Sequence, residues 1–166
     1  MILDMVQDSK FIFISTTKQE LSCFEKDHLV VVYPISSGKN GVGEKVNSEC
    51  TPRGWHQVHS ILGLNLPVNS VMVAREWTGE IYSESLAAQF PERDWILTRI
   101  LQLDGLEPGR NKGGDVDTLQ RYIYIHGTPD TTQLGVPGSH GCIRMNNNAI
   151  IELAAWATTN TLVCIQ

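Results

Sequence analysis

A single mostly-β domain, β-rich α+β in class, is what this sequence predicts, and three observations carry the prediction. β-Branched and aromatic residues recur in short runs between turn formers, only one stretch late in the chain has a helical period, and no repeat or linker divides the 166 residues. With 42% apolar and 19% charged residues, the chain has the composition of an ordinary globular domain and enough length to bury a core.

Each element follows from local chemistry. Phe11 to Ser15, Leu21 to Glu25 and Leu29 to Ile35 read as strands, because apolar and β-branched side chains alternate or cluster there. Ser36-Ser-Gly-Lys-Asn-Gly-Val-Gly43 and the polar stretch to Pro52 form a long loop, of a length that is often functional. Trp55 to Ser60 is the next strand. Ser70 to Glu76 and Glu80 to Ser83 form a hairpin expected to turn at Thr78-Gly79, since glycine supplies the positive φ that tight turns need. Glu84 to Phe90 suits a short helix, and Trp95 to Leu103 fits strand and helix equally. Four glycines and a proline among mixed charges make Asp104 to Asp117 an expected exposed loop. Arg121 to Ile125 reads as a strand with Tyr122, Tyr124 and His126 on one face and Ile123 and Ile125 on the core face. Asn146 to Asn148 can cap a helix buried through Ile150, Ile151, Leu153, Ala154 and Ala157 and ended by Asn160. Leu162 to Ile165 is the final strand.

A net charge of −5 with no run of lysine or arginine gives no electrostatic reason to expect a nucleic-acid or anionic-membrane partner. Cys23, Cys50, Cys142 and Cys164 form no CxxC pair, so reduced thiols are the simplest reading. Asp4 and Asp8 stand where an export signal needs positive charge followed by an apolar stretch, and no segment approaches the roughly 20 apolar residues that span a bilayer. The expectation is a cytoplasmic protein with no membrane partner.

The chemistry is concentrated near the C-terminus. From Tyr122 onward, 45 residues hold only three formal charges, Asp130, Arg144 and Glu152, yet two histidines and two cysteines. A nucleophilic cysteine needs an imidazole nearby and backbone donors for a developing oxyanion, and the stretch from His126 to Arg144 can supply all three. Arg121-Tyr-Ile-Tyr-Ile-His-Gly-Thr128 followed by Ser139-His-Gly-Cys-Ile-Arg-Met145 resembles the signature of the L,D-transpeptidase catalytic domain, the YkuD family. Thr51-Pro-Arg-Gly54, Leu97-Thr-Arg-Ile100 and Leu106-Glu-Pro-Gly-Arg-Asn111 extend the resemblance from about the third strand to the last.

That resemblance implies a mixed β-sheet fold with one helix in the C-terminal region, and Cys142 as nucleophile with His126 as its base. The Gly127 carbonyl would orient the imidazole, and the amides of His140, Gly141 and Cys142 would face the oxyanion. No cofactor or metal is implied. The implied reaction attacks the bond after the third, L-configured centre of a peptidoglycan stem peptide, expels the terminal D-alanine and leaves a thioester on Cys142. Carbapenems would acylate the same thiol. With a cytoplasmic location expected, the favoured reading is an L,D-carboxypeptidase that trims muropeptide tetrapeptides in murein recycling. A cross-linking L,D-transpeptidase is one alternative. A non-catalytic module, peptide-binding or zinc-stabilised through His126, His140 and Cys142 with His56 or His59, is another.

One magnitude narrows the role of His126. Lowering a thiol pKa from about 8.5 to about 6 raises the thiolate fraction at neutral pH roughly 30-fold, while the weaker nucleophile loses back roughly 13-fold. The net gain is a few-fold, so orientation and proton delivery, worth about 10² to 10⁴, are the larger part. Arg144, Ser139 and Tyr124 are the candidate substrate contacts, with the Arg144 guanidinium expected to read the terminal carboxylate of the peptide.

Overall fold

The computed structural model describes residues 9–166, so the reading of the N-terminal segment around Asp4 and Asp8 lies outside the described residues. Ten strands follow in chain order: β1 (Lys10–Ser15), β2 (Glu20–Glu25), β3 (His28–Ser36), β4 (Gly54–Leu62), β5 (Ser70–Val73), β6 (Glu76–Ile81), β7 (Ile96–Gly105), β8 (Tyr124–Gly127), β9 (Ile143–Met145) and β10 (Leu162–Ile165). Two helices, α1 (Glu84–Gln89) and α2 (Asn147–Trp156), complete the fold, with a single 3-10 turn at Gly114–Val116. The mostly-β class with one substantial C-terminal helix is therefore borne out.

The strands pair in the order β4-β10-β1-β2-β3-β9-β8-β7-β5-β6, and β4 also pairs with β7, so the first eight close into a ring while the β5–β6 hairpin hangs from the start of β7. The sheet is mixed, because β1–β10 and β8–β9 run parallel among otherwise antiparallel pairs. Its core gathers Ile12, Ile14, Val58, Leu101, Leu103, Ile125, Ile143 and Met145 from the strands against Ile150, Leu153 and Ala154 of α2. The α2 cap is the expected one: the Asn146 side chain accepts from the Asn148 N–H at 2.9 Å. No helix among the described residues is long and apolar enough to cross a membrane.

Three expectations need correction. The ambiguous Trp95–Leu103 stretch is strand β7, almost wholly buried between neighbours on both edges, which is why its pattern is continuous rather than alternating. The hairpin turns at Ala74-Arg75, both with positive φ (50° and 68°), while Gly79 lies inside β6. The glycine was the stronger local signal, yet pairing of Val73 with Glu76 fixes the tight turn between them. The 104–117 segment is only partly exposed, because Asn111 is fully buried and its amide donates to the Arg53 and Trp55 carbonyls.

Candidate active site

β8 and β9 lie side by side in register, Ile125 opposite Ile143 and His126 opposite Arg144. Alternation sends the two isoleucines into the core and His126 and Arg144 to the other face, with Tyr124 and Cys142 one step earlier on that same face. The Tyr124 N–H donates to Cys142 Sγ at 3.3 Å. Parallel neighbours cannot be joined by a tight turn, so residues 128–142 form the long connection that carries the motif.

The Cys142 thiol donates to the Tyr122 carbonyl at 3.4 Å. That carbonyl is presented by a turn rather than a strand: Arg121 N–H bonds Asp117 O, Tyr122 N–H bonds Leu119 O, and Tyr122 has φ 56°. β8 begins only at Tyr124, so Tyr122 does not share the alternating face of Tyr124 and His126, and the residue is 55% exposed.

His126 is 1% exposed, and its Nδ1 lies 2.7 Å from the Gly127 carbonyl. A carbonyl only accepts, so Nδ1 carries the proton and Nε2 is the lone-pair nitrogen. Glycine is required at 127, where a Cβ would stand 2.5 Å from Leu97 O and 2.6 Å from Asn147 Oδ1. Buried Asn147 frames this position, its amide donating to Thr128 O and Asn69 Oδ1, each at 3.0 Å. The Asn147 carbonyl oxygen accepts from Thr98, whose hydroxyl in turn accepts from the Asn69 N–H. Thr98 sits at a bulge in β7 with φ 76°, an uncommon conformation for a β-branched residue.

Burial sets the electrostatics. It pushes the Cys142 thiol up to about 12, only partly offset by the Tyr124 N–H, and it lowers the His126 imidazole against the pull of the Gly127 carbonyl. Thiol and imidazole therefore both rest neutral. His126 is not among the hydrogen-bond partners of Sγ in this conformation, which bonds Tyr122 and Tyr124 instead.

The loop before Cys142 is braced from three sides. Ser139 is 2% exposed; its hydroxyl donates to Cys142 O at 2.6 Å and accepts from Gly141 N–H at 3.1 Å. This corrects two expectations: Ser139 holds the loop rather than substrate, and the Gly141 amide is already engaged. The amides of His140 and Cys142 have no partner among the described residues and remain the candidate oxyanion donors. Thr51, fully buried, donates to Gly141 O at 2.8 Å and accepts from Gly38 N–H at 2.8 Å. Arg121 reaches across to Cys50 O at 2.7 Å and to Gly43 O, Glu44 O and Ser48 Oγ, fixing the long loop against the site. The sequence alone assigns neither Thr51 nor Arg121 a role, although each opens one of the family-like motifs.

Cys142 opens into a cleft of about 470 Å³ walled by Arg75, Asp94, Ile96, Tyr122, Tyr124 and His140. Tyr124 is buried within this wall, its hydroxyl accepting from Arg75 Nη1 at 3.3 Å. Arg144 is not among the wall residues: its side chain is 18% exposed, donates to Gly138 O at 3.0 Å and pairs with Asp94 at 3.3 Å. Asp94 also lies 3.8 Å from His140 Nδ1, so one carboxylate from the segment just before β7 links both flanks of Cys142. Among the described residues no three metal-ligating side chains gather. His56 is committed to Gly54 O and Thr118 Oγ1, and His59 is exposed on β4. The zinc-stabilised alternative has no ligand set.

The YkuD family, described as the L,D-transpeptidase catalytic domain, matches residues 9–165. The chain belongs to this family. One curated relative, the putative L,D-transpeptidase YkuD of Bacillus subtilis, is 37% identical over 62 residues, covering 34% of this chain and 38% of the relative. An L,D-transpeptidase from Mycobacterium smegmatis superposes with a TM-score of 0.61 at 17% identity, over 95% of this chain and 58% of that one. LdtMt1 in complex with imipenem gives 0.57 at 16% identity, over 96% and 59%. The chain thus spans under two thirds of these relatives, and at such identities the structures share the L,D-transpeptidase fold. Within the family match lie His126-Gly127 and Ser139-His-Gly-Cys142.

Proposed function

We propose that this chain is a cysteine acyl-transfer enzyme acting on peptidoglycan stem peptides, and that its principal reaction is L,D-carboxypeptidase cleavage of muropeptide tetrapeptides in the cytoplasm. The observation that carries the reading is the Cys142 thiol at the wall of the cleft, one step along a parallel strand pair from an imidazole whose Nε2 is free. Rotation about the Cys142 side chain takes Sγ from Tyr122 O toward that nitrogen; such contacts commonly tighten only when substrate binds. Sγ attacks the carbonyl of the third residue, and its proton passes to His126. The C–N bond breaks as His126 protonates the departing D-alanine amine. Water then attacks the thioester, the C–S bond breaks, and the proton returns to sulfur through the same imidazole, leaving a tripeptide with a free carboxylate. Hydrolysis is favoured by the abundance of water around soluble muropeptides.

A second reading, cross-linking, draws on a smaller cleft of about 260 Å³ that shares Tyr122 and His140 with the first and carries Glu49, an anion suited to an acceptor amine. Incubating the protein with a disaccharide tetrapeptide and weighing the products separates the two. Tripeptide plus D-alanine is expected; a dimer joined through the third residue would replace hydrolysis with transpeptidation, and unchanged substrate would refute both.

A further inference from the structure

The cleft beside Cys142 has a cation that nothing in the motif announces. Arg75 occupies the tip of the β5–β6 hairpin, and the tight turn there forces both Ala74 and Arg75 into the left-handed region, where neither side chain is favoured. The strained tip delivers Arg75 into the wall that also holds Cys142. Its guanidinium carbon lies over the Tyr122 ring, 4.9 Å from the centroid, and one N–H reaches the Tyr124 hydroxyl. Tyr122 presents the carbonyl that holds the thiol, and Tyr124 the amide. Arg75 is thus positioned by the same two residues as the nucleophile.

The other guanidiniums near the site are spent. Arg121 donates to three carbonyls and a hydroxyl, and Arg144 to Gly138 O and Asp94. Arg75 has no carboxylate partner among the described residues, and its five N–H groups engage only the side chains of Tyr124, at the long distance of 3.3 Å, and Tyr122. A guanidinium anchored by two tyrosines, with N–H groups left over, can match a carboxylate through two parallel hydrogen bonds.

We infer that Arg75, rather than Arg144, binds a carboxylate of the substrate beside the scissile bond. The inference rests on the proposed peptide substrate and deepens it. A tetrapeptide whose third residue carries a side-chain carboxylate offers two such groups, that one and the terminal one, with the same chemistry.

Binding and turnover are compared for three peptides: the free acid, the peptide amidated at its terminus, and the peptide amidated at the third side chain. For wild type, one amide is expected to lower kcat/KM by roughly 10- to 100-fold, and whichever does so identifies the carboxylate. Arg75→Ala is expected to lose that preference, Arg75→Lys to keep part of it, and Arg144→Ala to retain it. Binding to Cys142→Ser, with and without Arg75→Ala, is measured by calorimetry, so the inference is tested even without turnover. Equal affinity of acid and amides for Cys142→Ser overturns it while leaving the proposed reaction standing. An acid preference that survives Arg75→Ala also overturns it. Failure of wild type to cleave any peptide, with the binding preference intact, counts against the reaction and not against Arg75.

Discussion

Thr51→Val replaces one hydroxyl by a methyl of nearly the same size, and the structure says why that change is costly. The hydroxyl is fully buried, donates to Gly141 O and accepts from Gly38 N–H, both at 2.8 Å, so the valine leaves two buried backbone groups unpaired. Each costs about 1 to 3 kcal/mol, which puts the loss at about 2 to 6 kcal/mol. In a domain of this size that lowers Tm by roughly 4 to 24 °C. Thr51→Ser keeps both bonds and loses only a methyl, about 1 kcal/mol. Urea unfolding of the three proteins measures the differences. Gly141, with φ 123°, is the residue directly before the nucleophile, so freeing its carbonyl is also expected to slow alkylation of Cys142. A valine variant as stable as the serine variant would refute the claim that Thr51 secures the nucleophile loop.

Cys142→Ala is expected to abolish acylation and turnover with the fold intact; a carbapenem adds one drug mass to the wild type and none to the variant, as seen by intact mass. Acid stability is expected to fall because of His56: fully buried, its pKa lowered from 6.5 to about 4 by burial, it favours folding above pH 6.5 and loses that contribution as pH falls toward about 4. The loss is about 3 kcal/mol, in the same direction as that of His126, and flat stability between those pH values would refute it. Alkylation of Cys142 by iodoacetamide is expected to climb steadily into the alkaline range, because burial raises the thiol to about 12; a plateau at neutral pH would reveal a preformed thiolate.

The strands legible in the sequence were those whose burial is local in cause. β1, β2 and β10 alternate or cluster apolar residues and were placed within a residue or two. β7 was ambiguous because buried strands and helices share continuous apolar runs. Cys142 and His126 could be read because their motif is contiguous and their supporting groups are glycines and backbone. Ser139 was misassigned for the opposite reason: a serine beside a nucleophile looks available, and only the folded loop shows its hydroxyl bonded to Cys142 O and Gly141 N–H. Asp94 and Arg75 had no legible signal at all. Each reaches the site through long-range strand pairing, Arg75 from a turn whose residue types argue against a turn.

A fold that raises the pKa of its own nucleophile invites the question of what is gained. Raising a thiol pKa from about 8.5 to about 12 lowers the thiolate fraction at neutral pH roughly 3,000-fold and returns roughly 40-fold in nucleophilicity, a net loss of roughly 80-fold, so the thiol must hand its proton to His126 as it attacks. The departing amine presents the harder problem, because it cannot leave unprotonated, and the imidazole must hold a proton at Nε2 at that moment. This requires a ring whose Nδ1 is fixed, and one 2.7 Å bond to Gly127 O fixes it. The direction of that carbonyl depends in turn on a glycine with no room for a Cβ and on Asn147, which is held by Thr98 in its strained bulge. The dependence runs from a kink in β7 to a proton at Nε2, and it accounts for why Leu97-Thr-Arg-Ile100 belongs to the same device as His126-Gly127 although the two lie far apart in the chain.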